Sequence, residues 1–175
     1  MVETWALRIA EAIKRAEPER TASVAVLKFS LEAIINAAIT ISVIGIIGLV
    51  TNSFWQTMMA VGAFAVLRFF SGGLHLREAL HCSLLSITLI SIAPHLILSD
   101  PFIFLVNIIS LLLIVIFAPS NIEGHARIPK KYFPILKLIS ALIIASNFLI
   151  NSSTVALVFL FQAASTVKLK KEVIK

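Results

Sequence analysis

The residues best suited to covalent chemistry lie in one polar break between long apolar runs, Arg68-Phe69-Phe70-Ser71-Gly72-Gly73-Leu74-His75 followed by Arg77, His81 and Cys82. Cys82 is the chain's only cysteine. A thiol attacks carbonyl carbon as its thiolate, and a neighbouring imidazole can take the proton and hand it to the leaving amine. Cys82 and His75 therefore form a candidate nucleophile–base pair. Both also have plain structural readings. A free cysteine in a membrane helix often serves as small apolar filler, and a histidine at a membrane edge is often an interface residue. From these two residues alone, both readings stay open.

Spacing adds a geometric condition. On one straight α-helix, residues seven apart share a face but stand about 10 Å apart along the axis, from a rise of about 1.5 Å per residue. Side chains lean toward the N-terminus, so His75 could not reach forward to Cys82. The pair can act together only if the backbone turns back between them, and Gly72-Gly73 permits such a turn. The expectation is a loop at His75 and a helix that begins just before Cys82, where the helix dipole favours negative charge. Irregular backbone at membrane depth is tolerated only against protein or water, which suits a cleft open to one side of the bilayer. His81 points about 100° away from its neighbour Cys82 on a helix of 3.6 residues per turn and is a poorer base. A zinc site from His75, His81 and Cys82 matches no familiar ligand spacing, so no metal and no cofactor is expected.

The elements that must position these residues are membrane helices. The chain has 175 residues, of which 59% are hydrophobic and only 14% charged, and its mean hydropathy is +1.00. A soluble domain would carry about a quarter charged residues. The apolar residues cluster into runs of the length a bilayer requires, roughly 17–25 residues. The fold class expected is all-α: a polytopic membrane helix bundle forming a single integral membrane domain over residues 1–175. The single cysteine cannot form an intrachain disulfide. The start, Met1-Val2-Glu3-Thr4-Trp5, lacks a basic n-region, which argues against a cleaved signal peptide.

Residues 3–17 carry Trp5, Ile9, Ala12, Ile13 and Ala16 at helical spacing with charges between them, the pattern of an amphipathic helix that either lies in the interface or packs on the bundle as an ordinary surface helix. Pro18 ends it. Six spans follow, at about 29–50, 54–67, 81–98, 102–118, 133–150 and 154–167. With six spans the connections alternate sides. Every Lys and Arg then falls on the side of the N-terminal segment, the 68–82 break, the 119–132 loop and the tail. The opposite turns, Asn52-Ser53, Ser99-Asp100-Pro101 and Asn151-Ser152-Ser153, carry neither. The positive-inside rule puts both termini and the break in the cytoplasm. The net charge of +6 is thereby accounted for by topology and lipid headgroups, with no nucleic-acid partner.

Arg68-x-x-Ser71-Gly72-Gly73-x-His75 followed by Cys82 resembles the signature of the accessory gene regulator protein B (AgrB) family, membrane cysteine endopeptidases of bacterial quorum sensing. The resemblance extends to the N-terminal amphipathic segment, the break after two spans, and the Ala118-Pro119 turn that opens a basic second cytoplasmic loop. It implies a bacterial plasma-membrane protein that cuts the C-terminal tail from a small signalling propeptide. Cys82 would form the acyl-enzyme thioester and His75 would be the base. An internal nucleophile of the propeptide could then capture the acyl group and close a thiolactone or lactone. The implied partners are the propeptide and the lipid bilayer, and a homodimer is left open.

The remaining candidates are weaker. Glu32 lies about one turn into the first span, where an ionisable residue is a functional candidate by default, and could orient His75 or Arg68. Arg68 and Arg77 could hold an acidic tail or anchor helix ends. Ser71, or a backbone amide after Gly72-Gly73, could supply an oxyanion donor. Lys137 is expected to snorkel, and Arg127, Lys130 and Lys131 could meet substrate or lipid, lipid being the plainer reading. The rival readings are a small membrane transporter or exporter, and a non-catalytic membrane scaffold. Transporters tend toward internal repeats and helices interrupted at the midplane. Here no repeat is evident and the interruption lies at the cytoplasmic edge.

Overall fold

A computed structural model of the chain describes residues 2–74, 79–120 and 129–167. His75 and Arg77, with the loop expected at His75, lie outside the described residues, as do His125, Arg127 and the basic tail. The described residues are helical apart from short connections and an isolated parallel bridge between Gly72 and Ser120. The helices are α1 (Val2–Ala16), α2 (Val24–Val50), α3 (Phe54–Ser71), α4 (Ala79–Ile92), α5 (Asp100–Phe117), α6 (Phe133–Ile150) and α7 (Ser153–Ser165). Short 3-10 turns, Ala93–His95 and Lys130–Tyr132, follow α4 and precede α6.

Four helical segments are long and apolar enough to cross a bilayer: α2, α3, α5, and α6 with the turn before it. The 27 residues of α2 rise about 40 Å at 1.5 Å each, more than the roughly 30 Å hydrocarbon core. Its first turns, with Lys28 and Glu32, can therefore stand in the polar interface. The helix starts at Val24, earlier than the apolar run suggests, because Ser23 caps it by accepting from the Val26 amide. By contrast, α4 has 14 residues and α7 has 13, about 20 Å each at the same rise. Proline has no amide hydrogen to continue the ladder and its ring clashes with the preceding turn. At Pro94, α4 accordingly gives way to the 3-10 turn. The chain from Leu96 to Leu98 is not helical, and the Leu98 amide donates to Ser153 Oγ at 3.1 Å, which ties it to the start of α7.

The short α7 is the centre of the bundle. Val155, Phe159 and Ala163 pack with Leu67 of α3, Ile114 of α5 and Ile144 of α6. Its other side, Leu157 and Val158, packs with Ile44 of α2, Ala60 of α3 and Ile90 of α4. Polar pairing joins the outer helices: the buried Asn147 of α6 donates to Asn107 of α5 at 3.1 Å and also holds the Ser152 backbone in the following turn. Large apolar side chains cover the outside, with Trp55 80% and Leu149 91% exposed, as suits a lipid-facing surface.

The apolar stripe expected on α1, Trp5, Ile9, Ala12, Ile13 and Ala16, is not the face that packs. Ala6 and Ala10 are buried, whereas Trp5 and Ile9 face outward. Small residues allow close approach of α1 to α2, and the larger ones stay exposed. Glu3 of α1 accepts a hydrogen bond from Lys28 of α2, and this bond, with the Lys28 charge, holds the Glu3 carboxyl below its ordinary range. A depressed carboxyl contributes above the ordinary carboxylate range, and the contribution is lost as pH falls through the lowered value. The α1 amides are therefore expected to exchange hydrogen faster on acidification through that range, and Glu3→Gln to remove this dependence. Exchange read by mass spectrometry, corrected for the intrinsic effect of pH, checks both.

Candidate active site

Helix α3 ends where the sequence stops supplying side chains. Gly72 has φ +67° and Gly73 φ +138°, both in the region that favours glycine. The Gly72 amide closes the last turn onto Arg68 O at 3.0 Å. The chain then enters a junction of three helix ends. The Gly73 amide donates to Ser120 O at 2.9 Å and the Ser120 amide to Ser71 O at 3.0 Å. These bonds join the exit of α3 to the exit of α5, where a cis bond links Ala118 to Pro119. The Leu74 amide donates to Ser165 O at 2.8 Å, which joins both exits to the end of α7.

Arg68, in the last turn of α3, folds over this junction. Its Nη2 donates to Leu74 O at 2.9 Å and stands 3.9 Å from Cys82 Sγ, and its Nη1 donates to Gln162 Oε1 at 3.3 Å. The Phe64 ring lies 5.7 Å beneath the guanidinium carbon. Gln162 is fully buried on α7. Its Nε2 donates to Ser71 Oγ at 2.9 Å and to Gly72 O at 2.6 Å. Cys82 sits in the first turn of α4, half-buried, and is a free thiol. A guanidinium keeps its charge at any ordinary pH. Placed here, it can neutralise negative charge that develops on the sulfur or on the oxygen of an attacked carbonyl.

Cys82 and Arg68 lie on the wall of an open groove of about 620 Å³ between α2, α3 and α4. Its wall is apolar along Ala33, Ala37, Ile41, Ile44, Val61 and Phe64, with Asn36, Thr40, Ser83 and Ser86 as polar points. A second cavity, of about 600 Å³, flanks the α2–α4 seam and shares Asn36, Thr40 and Ser83 with the first. Glu32 lines this second cavity, with its carboxylate 3.7 Å from Lys28 Nζ. The structure thus brings Arg68, Ser71, Gly72, Gly73 and Cys82 to one junction and sets Glu32 with Lys28 on the far side of the seam. Among the described residues, no group of three or more His, Cys, Asp or Glu side chains is placed to hold a metal ion.

The family model for Accessory gene regulator B matches residues 6–168. The chain belongs to the AgrB family. A relative from Halalkalibacterium halodurans, named "Putative AgrB-like protein", is 32% identical over 91 residues, a stretch covering 52% of this chain and 46% of the relative. The match thus spans about half the length of that relative. No solved structure matches. With its apolar helices, this AgrB-family chain is a multi-pass membrane protein.

Three members of the junction escaped the sequence reading: Gln162, Ser165 and Ser120. Gln162 did carry a signal, since an amide inside an apolar run must find a partner within the protein. Ser120 and Ser165 meet the turn through their backbones, which no residue pattern betrays. The junction also shows that Gly73 is needed for more than the turn. A Cβ there would lie 2.5 Å from Ser165 Oγ and 3.2 Å from Gln162 Nε2, in addition to the backbone strain. Gly73→Ala is expected to destabilise the AgrB-family chain by roughly 1–3 kcal/mol. Gly62→Ala, at a helical position with open space around it, is expected to be neutral or stabilising by up to about 1 kcal/mol. Unfolding of both variants in one detergent measures the contrast.

Proposed function

We propose that this AgrB-family chain is a membrane-embedded cysteine endopeptidase that removes the C-terminal tail of a small signalling propeptide at the cytoplasmic face. The observation that carries the proposal is the Arg68 guanidinium 3.9 Å from the chain's only thiol, on the wall of an apolar groove. Family membership supplies the biological setting, the processing of an accessory gene regulator peptide.

In the proposed reaction Cys82 Sγ attacks the carbonyl carbon of the scissile peptide, and Arg68 faces the negative charge of the tetrahedral oxygen. The C–N bond breaks, and the leaving amine takes the proton that His75 accepted from the thiol. The acyl group stays on Cys82 as a thioester. A thiol or hydroxyl of the propeptide then attacks the thioester carbonyl, gives up its proton to His75 and releases the Cys82 thiolate, which recovers the proton from His75. The product is a thiolactone or lactone. A thioester keeps most of its acyl activation, so ring closure succeeds where water is kept away. The apolar residues preceding the scissile bond occupy the groove along Ala33, Ala37, Ile41 and Phe64, which excludes that water.

The same proposal includes the topology. Six membrane segments, with α4 and α7 as short ones, place both termini and every Lys and Arg on the cytoplasmic side. Helix α1 lies in that interface with Trp5 toward the headgroups. The substrate and the lipid bilayer are the partners, and a second copy of the chain remains compatible with this arrangement.

The test is coexpression with the propeptide encoded by a small reading frame beside the gene, tagged at its C-terminus, in a bacterial host that lacks the family. Cys82→Ala is expected to abolish tail release, a loss of roughly a thousandfold or more. Arg68→Gln is expected to cost about a hundredfold, the scale of losing one charge-stabilising donor. A hydroxylamine-sensitive adduct between enzyme and propeptide should accumulate with the wild type and be absent from Cys82→Ala. Full processing by Cys82→Ser would overturn the peptidase and leave a transporter or scaffold.

A further inference from the structure

Arg68 would not stay beside Cys82 by itself. A long cationic side chain has many rotamers and gains from reaching water, and its 3.9 Å approach to sulfur is the weakest of its polar contacts. The Leu74 carbonyl holds Nη2 at 2.9 Å, and the opposite nitrogen, Nη1, is held at 3.3 Å by the group on its other side. We infer that Gln162 is a positioning residue of the site: its amide clamps the Ser71-Gly72 turn with one end and the Arg68 guanidinium with the other, and so holds the positive charge against Cys82. The inference rests on the reading of Cys82 as the nucleophile.

The geometry of the amide carries this. Gln162 is completely buried, and its hydrogen-bonding groups are divided between two tasks. The amino end, Nε2, is directed at the turn, where it meets Ser71 Oγ at 2.9 Å and Gly72 O at 2.6 Å. The carbonyl end, Oε1, accepts from Arg68 Nη1 at 3.3 Å and from Ser165 Oγ at 3.2 Å. Ser165 has one hydroxyl proton, shared between Oε1 and the nearer Gln162 backbone oxygen at 2.7 Å, so the helix that carries the amide also braces it. An amide end that donates cannot accept, so binding at the turn fixes the orientation that presents Oε1 to Arg68. The carrier is rigid too: neighbouring α7 residues Val158, Phe159 and Ala163 are buried in both core clusters. No smaller polar residue spans both partners from this helix position, and no apolar one satisfies either.

The role is distinguished from plain packing by the charge that reaches the sulfur. Iodoacetate and iodoacetamide alkylate a thiol by the same displacement, in which sulfur bonds to the methylene carbon and iodide leaves, but only iodoacetate is anionic. The ratio of their rates therefore reports local positive charge, whereas a change of access alters both. In purified protein, Arg68→Gln is expected to lower the iodoacetate-to-iodoacetamide ratio at Cys82 by roughly tenfold, nearer the bulk-water than the protein-surface scale for a unit charge about 4 Å away because the groove is open. Gln162→Met, of similar length but unable to hold the guanidinium, should reproduce most of that fall. Combined with Arg68→Gln it should add nothing, as a residue acting through Arg68 requires.

Gln162→Asn keeps an amide but withdraws it by one methylene from the turn and from Arg68 alike, and should also lower the ratio. It serves where Gln162→Met fails to fold as a monodisperse helical protein. An unchanged ratio in either folded variant would overturn the inference. So would an equal slowing of both reagents, a fall that persists in the Arg68→Gln background, or an Arg68→Gln protein with the wild-type ratio. Because alkylation needs no substrate, its outcome is separate from that of the proposed function: tail release retained by Cys82→Ser removes the peptidase and leaves the charge ratio standing.

Discussion

A break in a helix leaves backbone amides and carbonyls without their in-helix partners, and each one buried away from water costs several kcal/mol if it stays unpaired. The turn after α3 meets this constraint by borrowing partners from distant parts of the chain. Its amides go to Arg68, Ser120 and Ser165, and its carbonyls take the Ser120 amide, the Gln162 side chain and the Arg68 guanidinium. No local segment could supply all of these. The ends of α3, α5 and α7 must therefore meet at one place, and this meeting organises the bundle.

The requirement also accounts for α7. A helix of 13 residues is a poor membrane span by length, yet it is the most buried of the helices described. Its apolar faces unite the two core clusters, and its C-terminal end brings Gln162 and Ser165 to the junction. The same groups thus serve stability and placement together. Arg68 illustrates the overlap, because the donors that seal the turn at Leu74 and Gln162 belong to the guanidinium that faces Cys82.

The all-helical class, the membrane character and the family were legible in the sequence because they rest on composition, run length and a short motif. The break itself was marked by Gly72-Gly73, and a helix beginning just before Cys82 followed from the need for a return of the chain. Other features depend on pairings across long stretches of sequence, which periodicity does not encode. The amide of Gln162 meets Ser71 and Gly72 some ninety residues earlier in the chain. Glu32 looked like a partner for the break from its depth in the first span, but Lys28 one turn before it lies beside its carboxylate. The apolar positions of α1 gave one stripe by spacing, whereas packing chose alanines for the contact and left Trp5 outside, a choice made by side-chain size. Helix ends differed from the hydrophobic runs wherever a single residue overrode them, Ser23 at the start of α2 and Pro94 at the end of α4.

The two sides of the proposed site differ in packing, and the difference suits the peptide substrate of the proposed function. Arg68 belongs to the densely packed part, where α3 and α7 share buried Leu67, Phe159 and Ala163. Cys82 belongs to α4, which faces α2 across a seam flanked by two cavities and lined by Asn36, Thr40 and Ser83. A charge that must oppose a developing oxyanion works best when it does not have to reorganise, which calls for the rigid side. A chain that must enter and leave needs walls that can part, which calls for the open side. Cys82 lies where the two meet, so the approach of a peptide along the groove need not disturb the hydrogen bonds that hold the guanidinium.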